Sequence, residues 1–126
     1  MPKATPPDEG KDMGMVTSAD GTEITFVRSG SGPPLVLVHG NADLHTFWDL
    51  AGTRSPCAEH CTVYAIDRRG RGGSGDAEEY ELEREAEDVG AVVDAIDDPV
   101  TLLGHSGGAL YSLENATISG QGGTMY

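Results

Sequence analysis

The sequence predicts an α/β fold: an antiparallel hairpin, then parallel strands with helices on both faces. Three observations predict it. Leu35–Val38 (LVLV), Thr62–Ile66 (TVYAI) and Val100–Leu103 (VTLL) are short, largely apolar runs of the kind buried on both faces of a parallel sheet. Helix-compatible segments follow each of them, and that alternation belongs to sheets built from helical crossovers. Two β-prone segments flank Ala19-Asp20-Gly21 upstream, and Asp-Gly between such segments signals a hairpin.

Taken in order, residues 1–12 (MPKATPPDEGKD) are polar and proline-bearing and read as a disordered lead-in. Met13–Ser18 and Thr22–Arg28 form the hairpin, and Gly30–Pro34 is a loop. The first buried strand, 35–38, ends at His39-Gly40-Asn41. Thr46–His60 is expected to be partly helical, with an interruption at Pro56. The second buried strand, 62–66, ends at Asp67, and Arg68–Gly75 (RRGRGGSG) is a glycine-rich loop. Between Glu78 and Ile96, the residues Leu82, Ala86, Val89, Val93 and Ile96 follow steps of 4, 3, 4 and 3, one apolar stripe on a helix. Its glutamate-rich first turns suit a helix N-terminus, and Asp97-Asp98-Pro99 closes it. After the third strand, Ala109–Ala116 is helix-compatible, and 117–126 reads as an irregular tail.

Composition excludes several classes of function. The chain of 126 residues carries 8 basic and 21 acidic side chains, a net charge of −13, with lysine only at Lys3 and Lys11. Such a surface repels nucleic acid and anionic lipid, so neither is expected as a partner. Two readings of the acidity stay open: a solvated, self-repelling surface, or adaptation to high salt, where screening relieves the repulsion. The acid-rich, lysine-poor balance resembles proteins of salt-loving microbes. No apolar run reaches the length of about 18 residues that a membrane helix needs. The polar start, Met1–Lys11, lacks a secretory signal, so the cytoplasm is the default location. Cys57 and Cys61 flank His60 but have no second ligand pair, so free thiols are expected and no metal. No cofactor is expected either.

The chemistry-bearing motif is Gly104-His105-Ser106-Gly107-Gly108, a match to G-x-S-x-G. It lies between an apolar strand and a helix-compatible segment, the context that a nucleophile elbow requires. On such a turn neighbouring side chains would clash with the returning backbone, hence the glycines. Ser106 is the candidate nucleophile. The backbone N–H groups of Gly107 and, from the loop after the first buried strand, Asn41 are the candidate oxyanion hole. Gly40, Gly104 and Gly108 support the turns. His39 lies on the oxyanion side, where it is expected to pin the loop by hydrogen bonds rather than act as the base. His105 adjoins Ser106, but consecutive side chains on this turn diverge.

With these residues in place, LVLVHGN (35–41), VYAIDRRGRGGSGD (63–76) and LLGHSGGA (102–109) resemble three consecutive signatures of the α/β-hydrolase superfamily. The resemblance spans residues 13–116, a partial α/β-hydrolase domain. It implies the N-terminal half of that fold, whose full sheet has about eight mostly parallel strands. It also implies an ester-like small-molecule substrate and a triad in the order Ser, acid, His. By the same resemblance, Asp67 and the arginine-glycine loop are structural. A serine at the elbow makes relatives with an aspartate nucleophile, such as haloalkane dehalogenases and epoxide hydrolases, poor matches.

The chain departs from the pattern after the serine. The 20 residues beyond Ser106 contain one acid, Glu114, and no histidine, while His39, His45, His60 and His105 all precede it. The triad acid and histidine are therefore read as absent, and the expected chain is a truncated serine hydrolase with little or no turnover alone. Two other readings remain. One is a non-catalytic fragment or binding protein of the same fold. The other is a dinucleotide-binding module, since Gly70–Gly75 fits G-x-G-x-x-G. The position of that loop relative to the strand and helix around it counts against a dinucleotide, and its arginines read as solvated.

Overall fold

The structure, a computed structural model, describes residues 11–40, 45–50, 52–70, 74–75, 82–96, 98–105, 108 and 123–125. The hairpin consists of β1 (Lys11–Thr17) and β2 (Glu23–Gly30). Ser18 and Thr22 close its turn, with Gly21 N–H donating to Ser18 O at 3.0 Å. Lys11 and Asp12, read as the end of the lead-in, pair with Ser29 and Arg28 across the hairpin, and residues 1–10 lie outside the described residues.

The three apolar runs become β3 (Pro34–Val38), β4 (Thr62–Ile66) and β5 (Val100–Gly104), and they pair in parallel. A further strand, β6 (Gly123–Met125), pairs in parallel with β5. It falls in the stretch read as an irregular tail. Gly-Thr-Met has no apolar periodicity, and its extended form comes from the ladder to β5 rather than from its own side chains. The strand order is β1-β2-β4-β3-β5-β6. After β3 the chain moves to one side, to β4, and then crosses back to the other side of β3 for β5.

This crossing places helices on opposite faces. Between β3 and β4 lie α1 (Phe47–Leu50) and α2 (Arg54–Ala58), and between β4 and β5 lies α3 (Leu82–Ile96). Strand residues alternate between the two cores, as the two-residue period requires. Val36, Val38, Ile66, Val100 and Leu102 pack with Val89, Val92 and Val93 of α3. Leu35, Leu37, Val63 and Ala65 pack with Trp48 on the other face, with Phe47, Cys57, Ala58 and Cys61 against them. Each fully buried valine or leucine contributes about 1.5–3 kcal/mol. The two cysteines therefore serve as packing groups.

Two boundaries differ from expectation. The helical stretch 46–60 breaks before α2, not at Pro56. Gly52, in the left-handed region (φ 73), donates to Asp49 O at 3.1 Å, and Thr53 donates to Trp48 O at 2.9 Å, a pair of bonds that ends α1. Pro56 is the third residue of α2, where an N–H has no intrahelical acceptor, so the ring is tolerated. For α3, Ala86, Val89 and Val93 are buried as the stripe predicts, and Val92 joins them. The first turns proposed for this helix from Glu78, and the segment 109–116, lie outside the described residues.

Candidate active site

The reversal of strand order opens a switch point at the C-terminal ends of β3 and β5, where open α/β sheets bind ligands. Three residues of the motif, Gly104, His105 and Gly108, lie there. Gly104 ends β5 opposite Val38, and His105 N–H continues the ladder to Val38 O at 3.0 Å. The chain then turns, with Gly108 N–H donating to His105 O at 3.0 Å. A Cβ on Gly108 would lie 2.0 Å from Val38 O and 2.6 Å from His39 O. Only glycine fits this approach, as an elbow folding back on its own sheet demands. Ser106, Gly107 and Asn41 lie outside the described residues.

His39 and Gly40 follow β3 and are buried. His39 Nε2 accepts a hydrogen bond from Arg68 N–H at 3.0 Å. The other nitrogen, Nδ1, then carries the hydrogen and donates to Gly40 O at 2.7 Å. Both ring nitrogens are engaged, so the ring links Arg68 to the backbone at Gly40. The exposed His105 ring stacks on Phe47 of α1, with centroids 4.6 Å apart.

Two arginines of the loop after β4, expected to be solvated, are enclosed instead. Arg68 and Arg69 are 5% and 0% exposed. The Arg68 guanidinium holds Glu85 of α3 through two bonds of 2.8 and 2.9 Å. Arg69 holds Asp88 through two bonds of 2.7 Å and reaches Asp20 in the hairpin turn at 2.8 Å. The resulting network ties hairpin, loop and helix together. The Arg69 guanidinium, with help from Thr22, holds the Asp20 carboxyl well below the usual carboxylate range. In turn Asp88, then Asp20, push the Arg69 pKa further up against the opposing effect of burial. Glutamates read as favouring a helix N-terminus thus include one, Glu85, that is a buried anchor. The signal available was spacing: Glu85 and Asp88 are three apart and adjoin Ala86 and Val89 of the apolar stripe.

Asp67 is also fully buried. Its Oδ1 accepts from the backbone N–H of His45 at 2.7 Å and lies 2.8 Å from His45 Nδ1, while Oδ2 accepts from Thr25 Oγ at 3.3 Å. A cavity among the described residues measures about 340 Å³, is lined by Phe26, Tyr64, Val92 and Ile96 among others, and is lined by neither His39 nor Gly108. Among the described residues no helix is long and apolar enough to cross a membrane. None of their His, Cys, Asp and Glu side chains form a metal-binding group.

Comparison with known proteins agrees with this geometry. The chain is 34% identical over 99 residues to protein phosphatase methylesterase 1 from Mus musculus, covering 73% of this chain and 26% of that protein. A solved α/β hydrolase from Sphaerobacter thermophilus is 47% identical with a TM-score of 0.75, covering 86% of this chain and 41% of that one. The haloalkane dehalogenase DatA from Agrobacterium tumefaciens is 31% identical with a TM-score of 0.79, covering 94% of this chain and 41% of that one. The chain thus spans about a quarter of the mouse protein and about two fifths of the solved structures. The dehalogenase corrects one expectation. A single residue at the elbow does not make such proteins poor matches, because the likeness lies in the sheet scaffold. The pattern of the alpha/beta hydrolase family matches residues 35–125, and with that match the chain belongs to the alpha/beta hydrolase family.

Proposed function

We propose that this chain carries the nucleophile and oxyanion portion of a serine-dependent hydrolase acting on an ester or related acyl bond of a small molecule. The observation that carries the reading is the approach of Gly108 to the carbonyls of Val38 and His39, directly after the strand that leads into Ser106. A turn of that tightness at a G-x-S-x-G sequence is the requirement of a nucleophile elbow. The methylesterase named among the relatives adds support for ester chemistry.

In this reading Ser106 Oγ attacks the substrate carbonyl carbon, and its proton passes to a base. The Gly107 and Asn41 amides hold the oxyanion. The base returns the proton to the leaving alcohol, and water then cleaves the acyl-enzyme. Each oxyanion donor is worth about 10²–10³ in rate. His39 cannot be the base, since both its nitrogens are engaged. No cofactor enters the scheme.

The test is labelling by a fluorophosphonate probe, together with p-nitrophenyl acetate hydrolysis, on the 126-residue chain beside Ser106→Ala. Because no histidine follows Ser106 in these 126 residues, slow labelling and little turnover are expected; labelling lost in the variant supports the reading, and measurable labelling that is equal in both proteins overturns it.

A further inference from the structure

We propose that Cys57 and Cys61 form a two-thiol site that captures a soft, thiophilic centre, trivalent arsenic of the type R–As=O, as a bridge across one helical turn. The proposal stands independently of the serine-hydrolase reading. Cys61 directly precedes Thr62, the first residue of β4, so the pair lies at the opposite end of the strands from Gly108. Cys57 sits in α2, and Cys61 N–H donates to Cys57 O at 2.9 Å, a helical bond that carries the turn past the end of α2. Residues four apart on such a turn are neighbours, with Cβ atoms about 5–6 Å apart. Both side chains pack against the cluster of Leu35, Leu37, Trp48, Val63 and Ala65, so they share a face. Both are free thiols and only partly buried, so a small reagent reaches them from solvent.

The turn that carries the two thiols is held in place. A Cβ on Gly30 would lie 2.3 Å from Cys61 O and 2.4 Å from Ala58 O, so the end of β2 presses on the turn from one side. Directly after it, Thr62 N–H donates to Pro33 O at 3.0 Å and Thr62 Oγ donates to Gly32 O at 2.8 Å. A direct disulfide needs its Cβ atoms about 3.5–4.5 Å apart, so this turn would have to tighten. One atom inserted between the sulfurs spans the wider gap without that movement. Zinc takes four ligands, and among the described residues no further His, Cys, Asp or Glu joins the two thiols to make a metal-binding group. Trivalent arsenic in R–As=O is satisfied by two thiols, and soft sulfur ligands favour soft centres. Two S–H bonds break and two As–S bonds form. The oxide oxygen leaves as water with the two protons, and arsenic stays trivalent.

The test adds an equimolar amount of phenylarsine oxide to the reduced 126-residue chain, then iodoacetamide, and reads the intact mass. The expected product carries one phenylarsenic group and no alkylated thiol. In competition with glutathione, Cys57→Ser and Cys61→Ser are each expected to hold the arsenical about 100-fold more weakly, since a single sulfur loses the intramolecular second bond. The bridged parent is expected to melt at a higher temperature than the free parent, because a ligand that favours the folded turn stabilises the fold. An adduct that leaves a thiol open to alkylation overturns the proposal. So does binding in either variant within about threefold of the parent, or a lower melting temperature in the bridged chain. If a variant does not fold, the alkylation count and the melting shift of the parent decide.

Discussion

Two regions of the molecule handle charge in opposite ways. In the hairpin beside the cavity, Arg28 and Asp12 pair at 2.9 Å with side chains 50% and 72% exposed. At the end that carries the motif, Arg68, Arg69, Glu85 and Asp88 pair with side chains no more than 6% exposed. Both arrangements are arginine–carboxylate contacts of similar length. They differ in what surrounds them. Water screens the first, and its breakage returns both groups to solvent. The second is enclosed, so losing one member leaves an uncompensated charge. The lesson is that buried charge in this fold marks the foundation of the site edge.

The strongest way to break this contrast is Arg69→Met. It strands Asp88 in the core and frees Asp20, and a loss of about 3–5 kcal/mol is expected in urea denaturation. Next comes Gly108→Ala. The added Cβ meets two backbone carbonyls that cannot rotate away, so a loss of about 1–3 kcal/mol is expected in the same measurement. Reaction with a fluorophosphonate should fall further than stability does, because the turn itself must shift.

A smaller effect separates the two regions by pH. The Asp20 carboxyl titrates lower in the folded chain than in the unfolded one, chiefly because of Arg69. A depressed carboxyl adds stability above its unfolded value of about 4 and loses it as pH falls through the folded value. Thermal melts from pH 7 down to pH 2 should therefore show a shallower acid limb in Asp20→Asn than in the parent. The smallest effect is expected from Arg28→Ala, with a melting temperature indistinguishable from the parent. A clear drop there would mean that the exposed pair behaves like the enclosed ones and would end the comparison.

Much of the scaffold was legible because its signals are local. The run Thr62–Ile66 is the strand β4 with the same limits, and the other two apolar runs each differ by one residue at one end. The site was partly legible. The spacing of Gly104–Gly108 located the turn, and the place of His39 after a strand suggested its hydrogen-bonding role. Asp67 was expected to be structural by resemblance, but its bond to His45 escaped notice, since nothing about this histidine announces a partner 22 residues away. The buried arginines escaped for a related reason: a glycine-rich neighbourhood suggests solvent, and only their carboxylate partners reveal enclosure.

By itself, the sequence determined the hairpin, the three central strands and the apolar stripe of α3. Those properties depend on residues within a turn or a pleat of one another, where side-chain period and backbone preference act directly. The tertiary structure decided that β4 lies between β2 and β3, and that Met125 joins the sheet beside Leu102. It also decided that Asp67 meets His45 and that Arg68 meets His39. Contacts of that kind join residues far apart in the chain. They arise only once the crossover over β3 has brought the strand ends to a common edge, because hydrogen bonds form over about 3 Å whatever the separation in sequence.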